Sequence, residues 1–185
     1  MPDDAPDELL VGSVVRLRPL REDDLEHLRE WYNRPDIFPY MARDTPLTRE
    51  DQRRWYEAMV RQADTRVFAL ERKNTGALVG SITLRHLLDP ARCGELGILV
   101  GYPGSGLGSD AVRTLLRYAF TELGLKTVCL AVRGDNRRAI TAYMRAGFRP
   151  EGVLRQRLAK STHVYDLFSM SILREEFLED LAESR

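Results

Sequence analysis

Residues 104–109 read Gly-Ser-Gly-Leu-Gly-Ser, and they connect an apolar run to a long amphipathic pattern. Glycine at alternate positions permits left-handed backbone and lets a ligand approach the main chain closely. The apolar run predicts a strand over residues 93–101, and the amphipathic pattern predicts a helix over residues 107–123. Such a junction presents backbone N–H groups and the positive end of a helix dipole, which favour phosphate. The segment therefore predicts a site for a phosphorylated ligand.

Two other interpretations of the glycine segment are open on the residues alone. A tight strand-to-helix turn that binds nothing would use the same glycines. A dinucleotide-binding loop would need an acidic residue about twenty positions later, at the end of the next strand. Val132 and Arg133 stand there instead, and Asp135 comes late. The Gly-Lys-Ser/Thr of a nucleotide-binding Walker loop does not follow either. The residues therefore indicate a phosphate group but not the ligand that carries it.

A second group of reactive side chains lies in a predicted helix over residues 136–146. Asn136 and Tyr143 are separated by two helical turns, so they share a face of this helix. Asn136 can cap the helix, Tyr143 can donate its phenolic proton, and Arg138 can meet phosphate. Taken singly, these residues are also typical of a plain helix cap, a half-buried core tyrosine and a solvated arginine. Their combination is more specific than any one of them.

Glu95 is a third candidate, because it stands directly before the apolar segment of residues 96–100. A carboxylate on a central strand is unusual unless it is paired or functional. It can be a general base, or it can form a salt bridge at the edge of the strand. The residues alone favour neither interpretation.

Composition narrows the class of protein. The 185 residues suit one domain, and 28 acidic against 28 basic side chains favour neither nucleic acid nor anionic membrane as a partner. Residues 1–8 lack the features of a signal peptide, so a cytoplasmic location is expected. Cys93 and Cys129 are predicted to be buried thiols without a disulfide. The three histidines are scattered, so no metal site is expected.

The hydrophobic pattern predicts a mixed sheet with helices packed on it. We expect a disordered tail over residues 1–11 and a single domain over residues 12–185. Strands are predicted at 14–19, 66–71, 77–87, 93–101, 127–132, 148–154 and 162–173. Helices are predicted at 21–32, 48–62, 107–123, 136–146 and 174–185. The strand at 127–132 is a continuous apolar run, so we expect it to be buried on both faces.

Taken together, these motifs resemble the GNAT superfamily of acyl-CoA-dependent N-acetyltransferases. The segments that carry the resemblance are residues 15–20, 22–24, 95–98, the glycine loop and 136–152. The first and last of them are most similar to the branch of ribosomal-protein, spermidine and aminosugar acetyltransferases. The resemblance implies the GNAT fold of the α/β (α+β) class. Its mixed, mostly antiparallel sheet has six to seven strands, is splayed in the middle, and carries about four helices on both faces.

The resemblance also implies acetyl-CoA as co-substrate and an amine acceptor, which would be a small molecule or a peptide. Tyr143 would be the acid for the departing thiolate and Glu95 the base. A homodimer is possible by the same comparison. The residues implied in cofactor binding are Ile98, Leu99, Val100, Gly104, Ser105, Gly106, Leu107, Gly108, Ser109, Asn136, Arg138 and Tyr143.

Two features depart from the family's pattern. Pro103 replaces a glutamine or arginine before the glycine loop, and the connection from Val100 to Gly104 is shorter than usual. Proline has no backbone N–H to offer a phosphate. We therefore expect the pyrophosphate contacts to come from residues 105–109, with a lower cofactor affinity.

The acceptor site and the reaction are less well defined by the sequence. The proline-rich segment at residues 33–47 and a loop expected at residues 155–163 are predicted to border the acceptor pocket, although their aromatic residues can equally be core. A non-catalytic acyl-CoA sensor is an alternative to the acetyltransferase. A nicotinamide-dependent oxidoreductase is a more distant one.

Overall fold

The computed structural model describes residues 10–183. Within that range the chain forms eight strands: β1 (Leu10–Val11), β2 (Val15–Pro19), β3 (Arg66–Arg72), β4 (Leu78–Arg85), β5 (Cys93–Val100), β6 (Thr127–Arg133), β7 (Arg149–Lys160) and β8 (His163–Leu173). It also forms five α-helices: α1 (Leu25–Tyr32), α2 (Arg49–Arg61), α3 (Leu107–Thr121), α4 (Arg137–Arg145) and α5 (Arg174–Glu183). Two single-turn 3₁₀ helices cover Glu22–Asp24 and Phe38–Tyr40. No helix in residues 10–183 is long and apolar enough to cross a bilayer.

The strands form one sheet in the order β1-β2-β3-β4-β5-β6-β8-β7. Neighbours are antiparallel except β5 and β6, which are parallel and pair only at Cys93, Gly94 and Glu95. Beyond Glu95 the two strands separate and leave a V-shaped opening within the sheet. The predicted fold, mixed and splayed with helices on both faces, is confirmed, with eight strands instead of six to seven.

Alternation along the strands divides the core between the two faces of the sheet. On one face, α3, α4 and α5 pack against Leu96, Ile98, Leu130 and Val132. On the other face, α1 and α2 cover a smaller cluster that includes Ala69 and Leu99. Thr48 starts α2 with its side chain accepting from the Asp51 N–H, as the capping pattern indicates.

Three details of the sequence-based prediction need correction. Leu10 and Val11 form β1, so the predicted tail was too long at that end, and residues 1–9 lie outside the described residues. The strand β6 is not buried on both faces, because Ala131 is exposed and Thr127 and Cys129, on the same side, are only partly buried. The expected loop at residues 155–163 is mostly strand. Most of its residues are exposed, and they lack an alternating apolar pattern, so sequence reasoning missed it.

Gly80 on β4 allows an unusually close approach of β5. A Cβ built on Gly80 would lie 2.2 Å from the Leu99 carbonyl oxygen, so the absence of a side chain lets the Leu99 carbonyl turn toward β4. By contrast, a Cβ on Gly97 of β5 would meet nothing within 4 Å.

Gly80→Ala should therefore destabilise the protein, whereas the matched Gly97→Ala should not. Overpacking a close backbone contact costs about 1–3 kcal/mol. Urea unfolding of both variants measures the difference in free energy of unfolding. Equal stabilities for the two variants would show that β5 does not depend on the contact at Gly80.

Candidate active site

The glycine loop turns the chain from β5 into α3 through two left-handed residues. Gly104 has φ of 85°, and Gly106, the N-cap of α3, has φ of 76°. A Cβ on either glycine would meet nothing within 4 Å, so both face open space. The first turn of α3 directs its backbone N–H groups and its dipole toward this end of the helix. The residues present therefore fit the diphosphate of a coenzyme.

The loop is closed by its own contacts despite Pro103. The Ser105 hydroxyl donates to the Tyr102 carbonyl at 2.6 Å. At the start of the loop, the Arg34 side chain donates to the Gly101 carbonyl at 2.5 Å, and the Trp31 ring lies against Gly101. The short connection from Val100 to Gly104 is thus held in place by Trp31 of α1 and by Arg34, which follows α1.

Asp110 in the first turn of α3 has a separate structural role. Its carboxylate accepts hydrogen bonds from the backbone N–H groups of Ser13, Val14 and Val15, at 2.8–3.0 Å. Gly12 is required beside it, because a Cβ there would lie 2.4 Å from the Thr114 hydroxyl. The turn between β1 and β2 is therefore fixed to the same end of α3 that carries the glycine loop.

The edge of β5 that faces β6 is free beyond Glu95. The Gly101 N–H donates to the Val79 carbonyl on β4, at 2.8 Å. Because backbone groups alternate along a strand, those of Ile98 and Val100 face the opening, and the Leu99 carbonyl faces β4. Of Ile98, Leu99 and Val100, which the resemblance implies in cofactor binding, Ile98 and Val100 thus have backbone groups directed to the opening.

The helix α4 follows β6 and carries Asn136 at its start and Tyr143 two turns later on the same face. The side-chain oxygen of Asn136, Oδ1, caps the helix by accepting from the Ala139 N–H at 3.2 Å, and the side-chain NH₂ group remains to donate. Tyr143 packs on Phe148, with 5.8 Å between ring centroids, and burial raises the pKa of its phenol to about 12. The described residues provide no hydrogen-bond partner for its hydroxyl. Arg138 is exposed beside it.

Glu95 lies at the closed end of the opening, on the face of the sheet opposite to Tyr143. Its carboxylate accepts from Arg85 at 2.6 Å and lies 3.2 Å from the His86 ring nitrogen. This is the salt bridge that one interpretation of the sequence predicted. The side chain is still 35 % exposed, so a proton can reach it.

Cys93 and Cys129 lie beside Glu95 on adjacent strands. Both are free and only half-buried, which corrects the expectation that they are core residues, and their sulfur atoms are 3.7 Å apart. Burial, followed by the neighbouring Cys93, raises the pKa of the Cys129 thiol to about 12. A thiol with so high a pKa is a poor nucleophile at neutral pH.

Two buried cations that the sequence analysis missed connect the segment 38–41 to the rest of the opening. Lys160 at the end of β7 donates to the carbonyls of Phe38, Pro39 and Met41, at 2.6, 3.3 and 2.9 Å. Arg133 at the end of β6 donates to the Pro39 carbonyl as well. The two segments predicted to border the acceptor pocket are therefore in direct contact.

Arg133 is held by aromatic and acidic neighbours. Its guanidinium lies 3.7 Å from the Tyr165 ring centroid and 5.3 Å from that of Tyr40, and it forms a two-point ion pair with Asp135. A charged residue at the end of a buried strand was a visible signal in the sequence. No signal marked Lys160, since its partners are backbone carbonyls about 120 residues away.

The splayed sheet and the glycine loop are typical of acyltransferases that use coenzyme A, and sequence comparison gives the family. The profile described as "Acetyltransferase (GNAT) domain" matches residues 15–149. The chain belongs to this family.

Individual relatives agree with the family. Spermidine N(1)-acetyltransferase of Escherichia coli (strain K12) is 26% identical over 168 residues, covering 90% of this chain and 89% of the relative. The uncharacterized N-acetyltransferase p20 of Bacillus licheniformis is 26% identical over 176 residues, covering 92% and 98%. A crystal structure of spermidine N-acetyltransferase from Vibrio cholerae in complex with CoA and spermine superposes with a TM-score of 0.81. It is 25% identical, and the match covers 90% of this chain and 99% of that one. The chain is thus an N-acetyltransferase, and its co-substrate is acetyl-CoA.

Gly106→Ala should weaken acetyl-CoA binding at least tenfold. A left-handed backbone costs an alanine about 1–2 kcal/mol, and the new Cβ would project into the space that the diphosphate needs. Isothermal titration calorimetry with acetyl-CoA measures the affinity. Gly152→Ala on β7 is the control, since its Cβ would also meet open space but lies away from the loop. Unchanged affinity in Gly106→Ala would exclude the loop as the diphosphate site.

Proposed function

We propose that this N-acetyltransferase transfers an acetyl group to a primary amine by direct attack in a ternary complex. The acceptor would be a protein N-terminus, a polyamine, an aminosugar or another small amine. The observation that carries the proposal is the unpaired edge of β5, which runs from Glu95 to the glycine loop, with Tyr143 on the helix that follows β6. This arrangement supports a thioester held between a backbone donor and a phenol.

The backbone of β5 would orient the thioester. The N–H of Ile98 or Val100 would donate to the thioester carbonyl oxygen, which gains negative charge as the amine attacks. Residues 104–109, Asn136 and Arg138 would hold the diphosphate end. Much of the rate then comes from alignment of the amine with the carbonyl carbon.

Tyr143 would protonate the thiolate as the carbon–sulfur bond breaks. Its raised pKa keeps the phenol protonated throughout the neutral range, as an acid requires. Its hydroxyl has no protein partner to compete for the proton within residues 10–183.

Glu95 would accept the proton that the amine loses, through water. The water is needed because Glu95 lies at the closed end of the opening. Arg85 and His86 fix the carboxylate there. A homodimer stays a prediction.

Release of the coenzyme A thiol from acetyl-CoA, followed in the presence of N-terminal peptides, polyamines, aminosugars and amino acids, tests the proposal. Thiol release that depends on an amine supports it. Acetyl-CoA binding without release for any amine would favour the non-catalytic sensor instead.

Tyr143→Phe should lower kcat by roughly 10- to 1000-fold, as expected for loss of one proton donor. The loss should be the same from pH 6 to pH 9, because a phenol with a pKa of about 12 does not titrate there. Initial-rate measurements across that range check both points. Tyr56→Phe on α2 is the control and should keep wild-type rates. A wild-type kcat in Tyr143→Phe, with chemistry shown to limit the rate, would remove Tyr143 from the mechanism.

Glu95→Gln should lower kcat/KM at pH 7 by about 100-fold if Glu95 is the base. Activity should then move to higher pH, where more of the acceptor amine is already neutral. The pH profile of kcat/KM is the measurement. Arg85→Met serves as control, since it breaks the same ion pair without removing the carboxylate. A wild-type pH profile in Glu95→Gln would show that Glu95 forms the salt bridge but is not the base.

A further inference from the structure

The wall of the opening on the side of residues 38–41 contains a fixed positive charge. Lys160 is 9 % exposed, and its three contacts are all with carbonyl oxygens. A neutral amine has only two N–H donors, whereas an ammonium has three, so three acceptors require the charged form. The Phe38 ring, 4.1 Å from the nitrogen, favours the same form.

This charge is not neutralised by an ion pair. Arg133 is paired with Asp135, but within residues 10–183 no carboxylate forms a salt bridge with Lys160. Burial and then Arg133 lower the pKa of the Lys160 ammonium, and only the charge of Asp44 acts in the opposite direction. The Asp44 carboxylate accepts from the Ser161 N–H and forms no ion pair with Lys160 within residues 10–183. Carbonyl dipoles satisfy the hydrogen bonds of an ammonium without cancelling its net charge.

The surrounding segments do not offset this positive charge. Besides Lys160, residues 33–47, 133–135 and 153–166 carry five arginines against four aspartates, and Arg43 forms an ion pair with Asp51 outside these segments. A ligand with several ammonium groups needs the opposite balance, since like charges near a cleft lower its local concentration and disfavour binding.

Resting on the proposed function, we infer that Lys160 selects against polyamines, so that the acceptor carries a single amine on a neutral or anionic body. Lys160 acts here as a specificity-determining residue that also positions residues 38–41. A peptide N-terminus without further positive charge fits this wall, and spermidine does not.

The test compares acceptors that differ in charge but share the reacting group. Spermidine and butylamine are both alkyl primary amines, so their ratio of kcat/KM isolates the additional charges of spermidine. A neutral peptide with a free N-terminus and an amidated C-terminus is the third acceptor. In the wild type, the peptide should exceed spermidine at least tenfold. A higher salt concentration should raise the ratio of spermidine to butylamine, because screening weakens repulsion through solvent.

Lys160→Met removes the charge and keeps most of the apolar stem, whereas Lys160→Arg keeps the charge. We expect Lys160→Met to raise the ratio of spermidine to butylamine about threefold to tenfold, and Lys160→Arg to leave it unchanged. Rates for both acceptors can fall together in Lys160→Met as residues 38–41 shift, but only lost repulsion changes their ratio. If Lys160→Met does not fold, the salt dependence of the wild type decides.

Each outcome has a distinct meaning. Wild-type acetylation of spermidine as efficient as that of the peptide, or a ratio insensitive to both salt and Lys160→Met, would overturn the inference and leave the proposed function intact. Absence of thiol release with all three acceptors and with the wider panel would overturn the proposed function itself, and the inference with it.

Discussion

The structure depends on one constraint, which is that β5 and β6 pair for only three residues at the centre of a continuous sheet. Backbone groups inside a protein must find partners, and beyond Glu95 those of Ile98 and Val100 have none in the sheet. The opening between the strands is therefore a slot, with unpaired backbone N–H and C=O groups along the edge of β5 and apolar side chains around them. A ligand with amide groups along an extended arm satisfies both properties. The glycine loop and α4 flank this slot because they follow β5 and β6 directly in the chain.

The two sides of the slot are built by different physical means. Local turn chemistry builds the glycine-loop side, where Gly104 and Gly106 adopt left-handed backbone and Asn136 caps the next helix. Long-range ionic contacts build the other side, where Lys160 and Arg133 hold the carbonyls of a single turn. A local turn forms in the same way whichever amine binds on the other side of the slot. A wall held by buried cations can differ between relatives through one or two substitutions, and so can the acceptor.

This difference explains which parts of the structure could be predicted from the sequence. The elements near the cofactor were predictable because glycine spacing, capping residues and helical periodicity are local signals, and Asn136 caps α4 as expected. The second side was not predictable, because Lys160 contacts carbonyls that carry no side-chain signature. The burial of only one face of β6 and the exposure of the long strand β7 depend on which parts of the sheet the helices cover. For Glu95 the sequence indicated two roles, and the ion pair with Arg85 accounts for one without excluding the other.

Asp110 connects the amino-terminal edge of the sheet to the end of α3 that carries the glycine loop. Its carboxylate lies in the first turn of α3 and accepts hydrogen bonds from three N–H groups of residues 13–15. If that turn were pulled away or removed, an unpaired carboxylate would remain one helical turn from the proposed diphosphate site. Cofactor affinity should therefore be sensitive to fusion partners or deletions at residues 12–15, more than 90 positions before the helix that they protect.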